Sequence, residues 1–158
     1  METTETIDAR LEALGLRLPG PNLPHDPLDT VVVHGSRART SGQLPRGLDG
    51  RLVYPGAVGG SIEVEQGAEA ARWCALNALS VLRAELGTLD RIERVLSVLG
   101  FVACAPGFEQ QAAVVDGASC LLVDVFGDAG RHTRSAIGVA ALPRGGAVEI
   151  EVEVALRN

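Results

Sequence analysis

The chain has 158 residues, of which 46% are hydrophobic and 22% charged, the size and make-up of one globular domain able to bury a core without a disulfide or metal staple. Its net charge of −6, the lack of any long Lys/Arg run and an aromatic content of 3% exclude a polyanion-binding surface and a base-stacking platform, so no nucleic-acid partner is expected. No apolar run approaches the roughly 18 residues of a membrane span, and the polar, acidic start of the chain matches no targeting segment, so the expectation is a cytoplasmic protein with no membrane partner.

Residues 3–14 carry Ile7, Leu11 and Leu14 at helical spacing, with Gly15 to stop the helix. Four prolines in 19–27 make an extended connector, because proline lacks the donor that a helix or central strand needs. The β-branched run Val31-Val32-Val33 predicts a strand from Leu28 to His34, Gly35-Ser36 a turn, and 37–42 the returning strand. A loop follows, with a short strand expected at 51–54 and loop again over 55–60. The longest helical pattern covers 62–86, with Ser61 as N-cap, Gly87 as stop and an apolar stripe of Val64, Ala68, Ala71, Ala75, Ala78, Val81 and Leu82. A turn at 89–95 leads into a strand through Val102. Residues 108–126 predict a second helix, with Val114, Val115, Ala118, Leu121, Leu122 and Val125 inward. Strands are expected at 134–141 and 147–155. The order β-β-(β)-α-β-α-β-β favours an α+β sheet with both helices on one face. The chain reads as a single domain, 1–27 being helix and connector and 28–158 the core.

The last strand alternates strictly. Val148, Ile150, Val152 and Val154 share one face; Glu149, Glu151 and Glu153 share the other, with roughly 6.6 Å between successive carboxylate positions. A solvated outer face is the plainest reading of these glutamates. An oligomer surface is the other, and it calls for an arginine partner; Arg134 on the preceding strand offers a fork that fits either a glutamate or a bound acid. Cys74, Cys104 and Cys120 have no spacing suited to zinc, His25, His34 and His132 none suited to any metal, and no cofactor is expected.

Two stretches resemble the RidA/YjgF family. One is Thr40-Ser41-Gly42-Gln43-Leu44-Pro45. The other runs from Arg134-Ser135-Ala136-Ile137-Gly138-Val139 to Leu142-Pro143 and on into Ala147-Val148-Glu149-Ile150-Glu151. The likeness spans roughly residues 28–155. The N-terminal helix, with Gly100-Phe101-Val102 followed by Ala105-Pro106-Gly107-Phe108, is similar to a longer branch of that family. The resemblance implies a chorismate-mutase-like fold, a homotrimer whose three sheets face inward as a barrel, and three clefts between subunits. It further implies hydrolysis of small 2-imino or 2-enamino acids to 2-keto acids and ammonia. Some members are described as ribonucleases, translation inhibitors or chaperone-like proteins; the acidic charge and scarce aromatics speak against nuclease activity here.

On this resemblance Arg134 grips the carboxylate of the substrate and Glu149 positions or activates the hydrolytic water. An interface ion pair is the competing reading for Arg134, and a purely structural carboxylate for Glu149. Ala136 stands where many members have cysteine and Leu28 where many have tyrosine, so thiol chemistry is lost and the pocket is more apolar. Gly42, Gly35 and Phe101 match cleft positions, although a turn explains Gly35 and a core role would explain Phe101. Val58-Gly59-Gly60 corresponds to a loop over the cleft. Cys104, at a strand end near the implied cleft, and His132, two residues before Arg134, are weaker candidates; Cys120 reads as a small core residue. The functions to separate are an imine/enamine deaminase, a variant acting on a tailored biosynthetic imine, and a non-catalytic carboxylate-binding or chaperone-like trimer.

Overall fold

The computed structural model describes residues 5–158. Five strands and three helices follow one another as α1 (Ile7–Ala13), β1 (Val31–His34), β2 (Arg37–Thr40), α2 (Val64–Leu86), β3 (Ile92–Ala103), α3 (Gln111–Phe126), β4 (Thr133–Val139) and β5 (Val148–Leu156). The strands form one mixed sheet in the order β1-β2-β5-β3-β4. Only β3 and β4 are parallel, with Val98 opposite Arg134, Gly100 opposite Ala136 and Phe101 opposite Ile137. A parallel pair needs a crossover, and α3 supplies it. Gly35, at φ +59°, makes the β1–β2 turn.

Both long helices lie on one face of the sheet, as the element order predicts. Val148, Ile150, Val152 and Val154 of β5 point into them and are buried, while Glu149, Glu151 and Glu153 lie half-buried on the open face. On β3, Val98 and Val102 join the inward set, and Leu99 and Phe101 the outward one. The closely spaced alanines of α2 (Ala70, Ala71, Ala75, Ala78) are fully buried; small side chains allow the helix to lie close to its neighbours.

Several expectations need correction. The N-terminal helix begins at Ile7, and positions 3 and 4 of the predicted span lie outside the described residues. The strand expected from Leu28 starts at Val31. No strand forms at 51–54; Leu52 makes an isolated bridge with Arg46. Glu63, not Ser61, caps α2, with the Gln66 side chain accepting from the Glu63 N–H at 2.9 Å. The expected single stripe on α2 is too narrow a description: buried residues extend around most of its middle. The N-terminal segment covers part of the far side, where the Ser80 hydroxyl donates to Pro19 O at 2.6 Å. The loop after β2 covers another part, where the buried Asn77 donates to Arg46 O at 2.8 Å. Cys120, expected in the core, is exposed, one helical turn beyond exposed Asp116 on the outer side of α3.

Candidate functional site

The sequence-derived site residues fall into two groups on opposite faces of the sheet. Glu149, Gly42 and Phe101 share the open face. Phe101 is the direct cross-strand neighbour of Glu149. Gly42 is brought there because Gln43 and Ile150 exchange two backbone hydrogen bonds, of 2.9 and 3.1 Å, which hook the end of the β2 segment onto β5. The approach is so close that a Cβ on Gly42 would overlap the Glu149 carboxylate, so a side chain here would drive the acid out of its seat. The Leu28 side chain is exposed; two residues on, the Thr30 carbonyl accepts from the Ser41 N–H at 2.8 Å. Burial pushes the Glu149 carboxyl above its ordinary value, and the neighbouring charge of Glu151 adds to the rise.

Arg134 and Ala136 project from edge strand β4 to the helix side. Arg134 Nη1 donates to Asp116 Oδ1 at 2.7 Å and to Ser119 Oγ at 3.1 Å, and Nη2 reaches Ala112 O at 3.4 Å, all on α3. The Arg134 side chain is 22% exposed and that of Asp116 60%. Arg134 is therefore not the partner of the glutamate stripe, because β3 lies between β4 and β5. That role falls to Arg39, which meets Glu151 at 2.9 Å, and Arg37, which meets Glu153 at 3.3 Å; both sit on β2, the neighbour of β5. Within one protomer, Arg134 and Glu149 are two strands apart, roughly 10 Å, and three residues apart in register, roughly 10 Å more, with their side chains on opposite faces.

The remaining candidates are distributed around these two groups. His132 joins the Arg134 group through Ser119, 2.9 Å from its Nε2. Cys104 is half-buried at the end of β3, 3.8 Å from Gln111 Nε2. The Val58 loop is stitched to the end of β3 by Val58 N to Ala103 O (2.8 Å) and Ala105 N to Val58 O (2.9 Å). Cys74 is buried beneath β5, donating to Val148 O at 3.4 Å; burial, then the charge of Glu149, holds its thiol well above the ordinary range, so it stays protonated. Among the described residues, no group of three or more His, Cys, Asp or Glu side chains is placed to hold a metal ion, and no helix is long and apolar enough to cross a membrane.

A family model described as YjgF/chorismate mutase-like endoribonuclease matches residues 8–148. The chain belongs to the YjgF family. Its relatives include Protein TCP17 of Trypanosoma cruzi, 42% identical over 96% of this chain and 95% of that protein. A solved structure from Agrobacterium tumefaciens is similar at 38% identity, covering 97% of this chain and 94% of that one, with a TM-score of 0.88. A Shewanella oneidensis protein named as an endoribonuclease is similar at 32% identity, covering 96% and 99%, with a TM-score of 0.91. These likenesses extend over the N-terminal helix as well as the sheet, and the α+β, chorismate-mutase-like fold of the YjgF family is the one this chain adopts.

Sequence reasoning missed Asp116 and Ser119. Their signal is faint but present: two polar positions three apart interrupt the apolar run of α3, the spacing at which helical side chains are neighbours.

Proposed function

We propose that this YjgF-family protein is a deaminase that hydrolyses small 2-imino or 2-enamino acids to 2-keto acids and ammonia. It works as a homotrimer whose site is assembled at the seam between protomers. The observation that carries the proposal is the carboxylate seat at Arg134: an edge-strand guanidinium with a carboxylate, that of Asp116, already on one nitrogen and a hydroxyl beside it. The substrate acid takes that seat by exchange with an aspartate that is free to swing into water.

Because Glu149 faces away from Arg134 in its own protomer, the carboxylate that activates water at a given Arg134 comes from the neighbouring protomer, together with Gly42, Phe101 and Leu28. Water adds to the carbon of the protonated C=NH2+ form, to which an enamine tautomerises, as Glu149 takes one water proton, giving a neutral carbinolamine. Glu149 returns that proton to the nitrogen, the C–N bond breaks to release ammonia, and the hydroxyl proton passes to Glu149 and on to solvent as the keto acid forms. A base whose pKa is raised from its ordinary value by burial is better matched to this task near neutral pH. With Ala136 and Leu28 in place, neither a thiol nor a phenol at those positions takes part. The word endoribonuclease in the names of relatives stays with those proteins; the net charge of −6 here is unsuited to RNA.

The test is ammonia release from a 2-imino acid generated in situ. The protein should accelerate it, and Arg134→Ala should lose roughly 10- to 100-fold in kcat/KM with the oligomer intact, the worth of a charged hydrogen bond. No acceleration over buffer, or an unaffected Arg134→Ala variant, sinks the proposal. The missing cysteine and tyrosine favour one other reading, a regulatory carboxylate-binding trimer. That reading wins if a 2-keto acid raises the melting temperature while no imine is consumed.

A further inference from the structure

We propose that the groove beside Arg134, between the start of β4 and α3, is a subsite for a second anionic group, so that the preferred ligands are dicarboxylic 2-imino acids and their 2-keto acid products. This rests on the proposed role of Arg134 and names the substrate class for that site. The groove has a volume of about 270 Å³ and is lined by Ser119, Val123, Arg131, His132 and Arg134. A second hollow adjoins it through Arg131 and His132 and adds Arg94. In a chain of net charge −6, three arginines thus line two depressions that share Arg131 and His132, and no Asp or Glu is among the residues lining either. Arg94 and Arg131 have no ion-pair partner among the described residues. Arg94 Nη2 instead donates to Arg131 O at 2.9 Å, which fixes the Arg131 backbone and leaves both charges uncompensated.

The wall of the groove is fixed by hydrogen bonds. His132 Nδ1 lies 2.6 Å from Gly130 O and donates to it, and its Nε2 lies 2.9 Å from the Ser119 hydroxyl. The Ser119 oxygen in turn accepts from Arg134 Nη1 at 3.1 Å. Buried Gly130 presses against α3 so tightly that a Cβ would overlap the Leu122 carbonyl, and this holds His132 against Ser119. The result is a chain of hydrogen bonds from Arg134 through Ser119 and His132 to Gly130 O, beside Arg131, with Val123, 37% exposed, as an apolar patch for connecting methylenes.

The experiment compares 2-oxoglutarate with pyruvate as probes of the full-length protein by calorimetry at constant ionic strength. It also compares the corresponding imino acids by kcat/KM. The wild-type protein should prefer the dicarboxylate about tenfold, one charge-assisted hydrogen bond. Arg131→Ala should bring that ratio close to one. Arg17→Ala, the same charge change at the N-terminal segment, should keep it. Equal affinities in the wild type, a ratio unchanged by Arg131→Ala, or the same loss of ratio in Arg17→Ala would overturn the subsite. If the keto-acid preference depends on Arg131 but no imine is turned over, the deaminase reading fails and the subsite stands. If imines are turned over without any preference, the reverse holds.

Discussion

At Arg134 an incoming acid must displace Asp116, which is 60% exposed and costs little to release into water. An ion pair of this kind contributes about 0–1 kcal/mol. Asp116→Asn should therefore lower KM, or the dissociation constant of a 2-keto acid, by up to about fivefold, and should barely move the melting temperature. A weaker grip in this variant would show that Asp116 orients the guanidinium rather than competing for it. Glu149 is a different case. Its carboxyl is held above the ordinary value by burial, so ionising it costs the folded state more than the unfolded one. Stability is lost as pH rises from the unfolded value, about 4.3, through the raised folded value, and the loss is complete above it. Glu149→Gln should abolish about a hundredfold or more of the rate, as loss of a general base does. It should also melt slightly higher than the wild type at pH 7, by roughly 1–2 °C. The two curves should meet near pH 4, where both folded forms are neutral at this position; a gap that persists there would put its cause elsewhere.

The elements differ in how openly the sequence declared them. Strand β5 was legible to within one residue at either end, because strict alternation of Val and Glu has one physical solution on a sheet with one buried face. The long helices were legible for a similar reason. What stayed hidden was pairing. Chain order suggests that the Arg134 strand lies beside the glutamates, but the parallel β3–β4 crossover puts β3 between them, and the register with Val98 turns Arg134 towards the helices. Local pattern carries no information on either point, so Arg134 and the glutamates were misjudged as neighbours. Cys120 shows the same limit on a helix, where the boundary between inner and outer faces was drawn one position too wide. The N-terminal helix was visible in the pattern and its job was not. Leu11 is buried, the Ile7 N–H donates to Asp90 Oδ1 at 2.7 Å, and Arg83 Nη1 meets Asp8 at 3.3 Å, so α1 is fastened across the back of the domain. Leu11→Ala should cost about 2–3 kcal/mol and lower the melting temperature by roughly 5–10 °C, measured by calorimetry. A change within error would mean that α1 only rests on the surface.

For the whole molecule, the exposed apolar side chains Leu28, Val32, Val33 and Ile137 lie at the two sides of the sheet, where β1 and β4 have no strand beyond them. Open edges with apolar neighbours invite a second copy, and closed threefold symmetry would satisfy every edge alike. Light scattering should give three times the 16.5 kDa of one chain; a monomer would leave each Arg134 without a Glu149.

In the proposed trimer the guanidinium and the glutamate of one chain look out from opposite sides of its sheet, so each chain would lend Arg134 to the seam with one neighbour and Glu149 to the seam with the other. Two impaired preparations, Arg134→Ala and Glu149→Gln, should therefore restore each other when unfolded together and reassembled. Equal, random mixing makes about a quarter of the seams whole again. Recovery near that fraction, above the residual activity of either preparation alone, would be the signature of a site that no chain owns by itself.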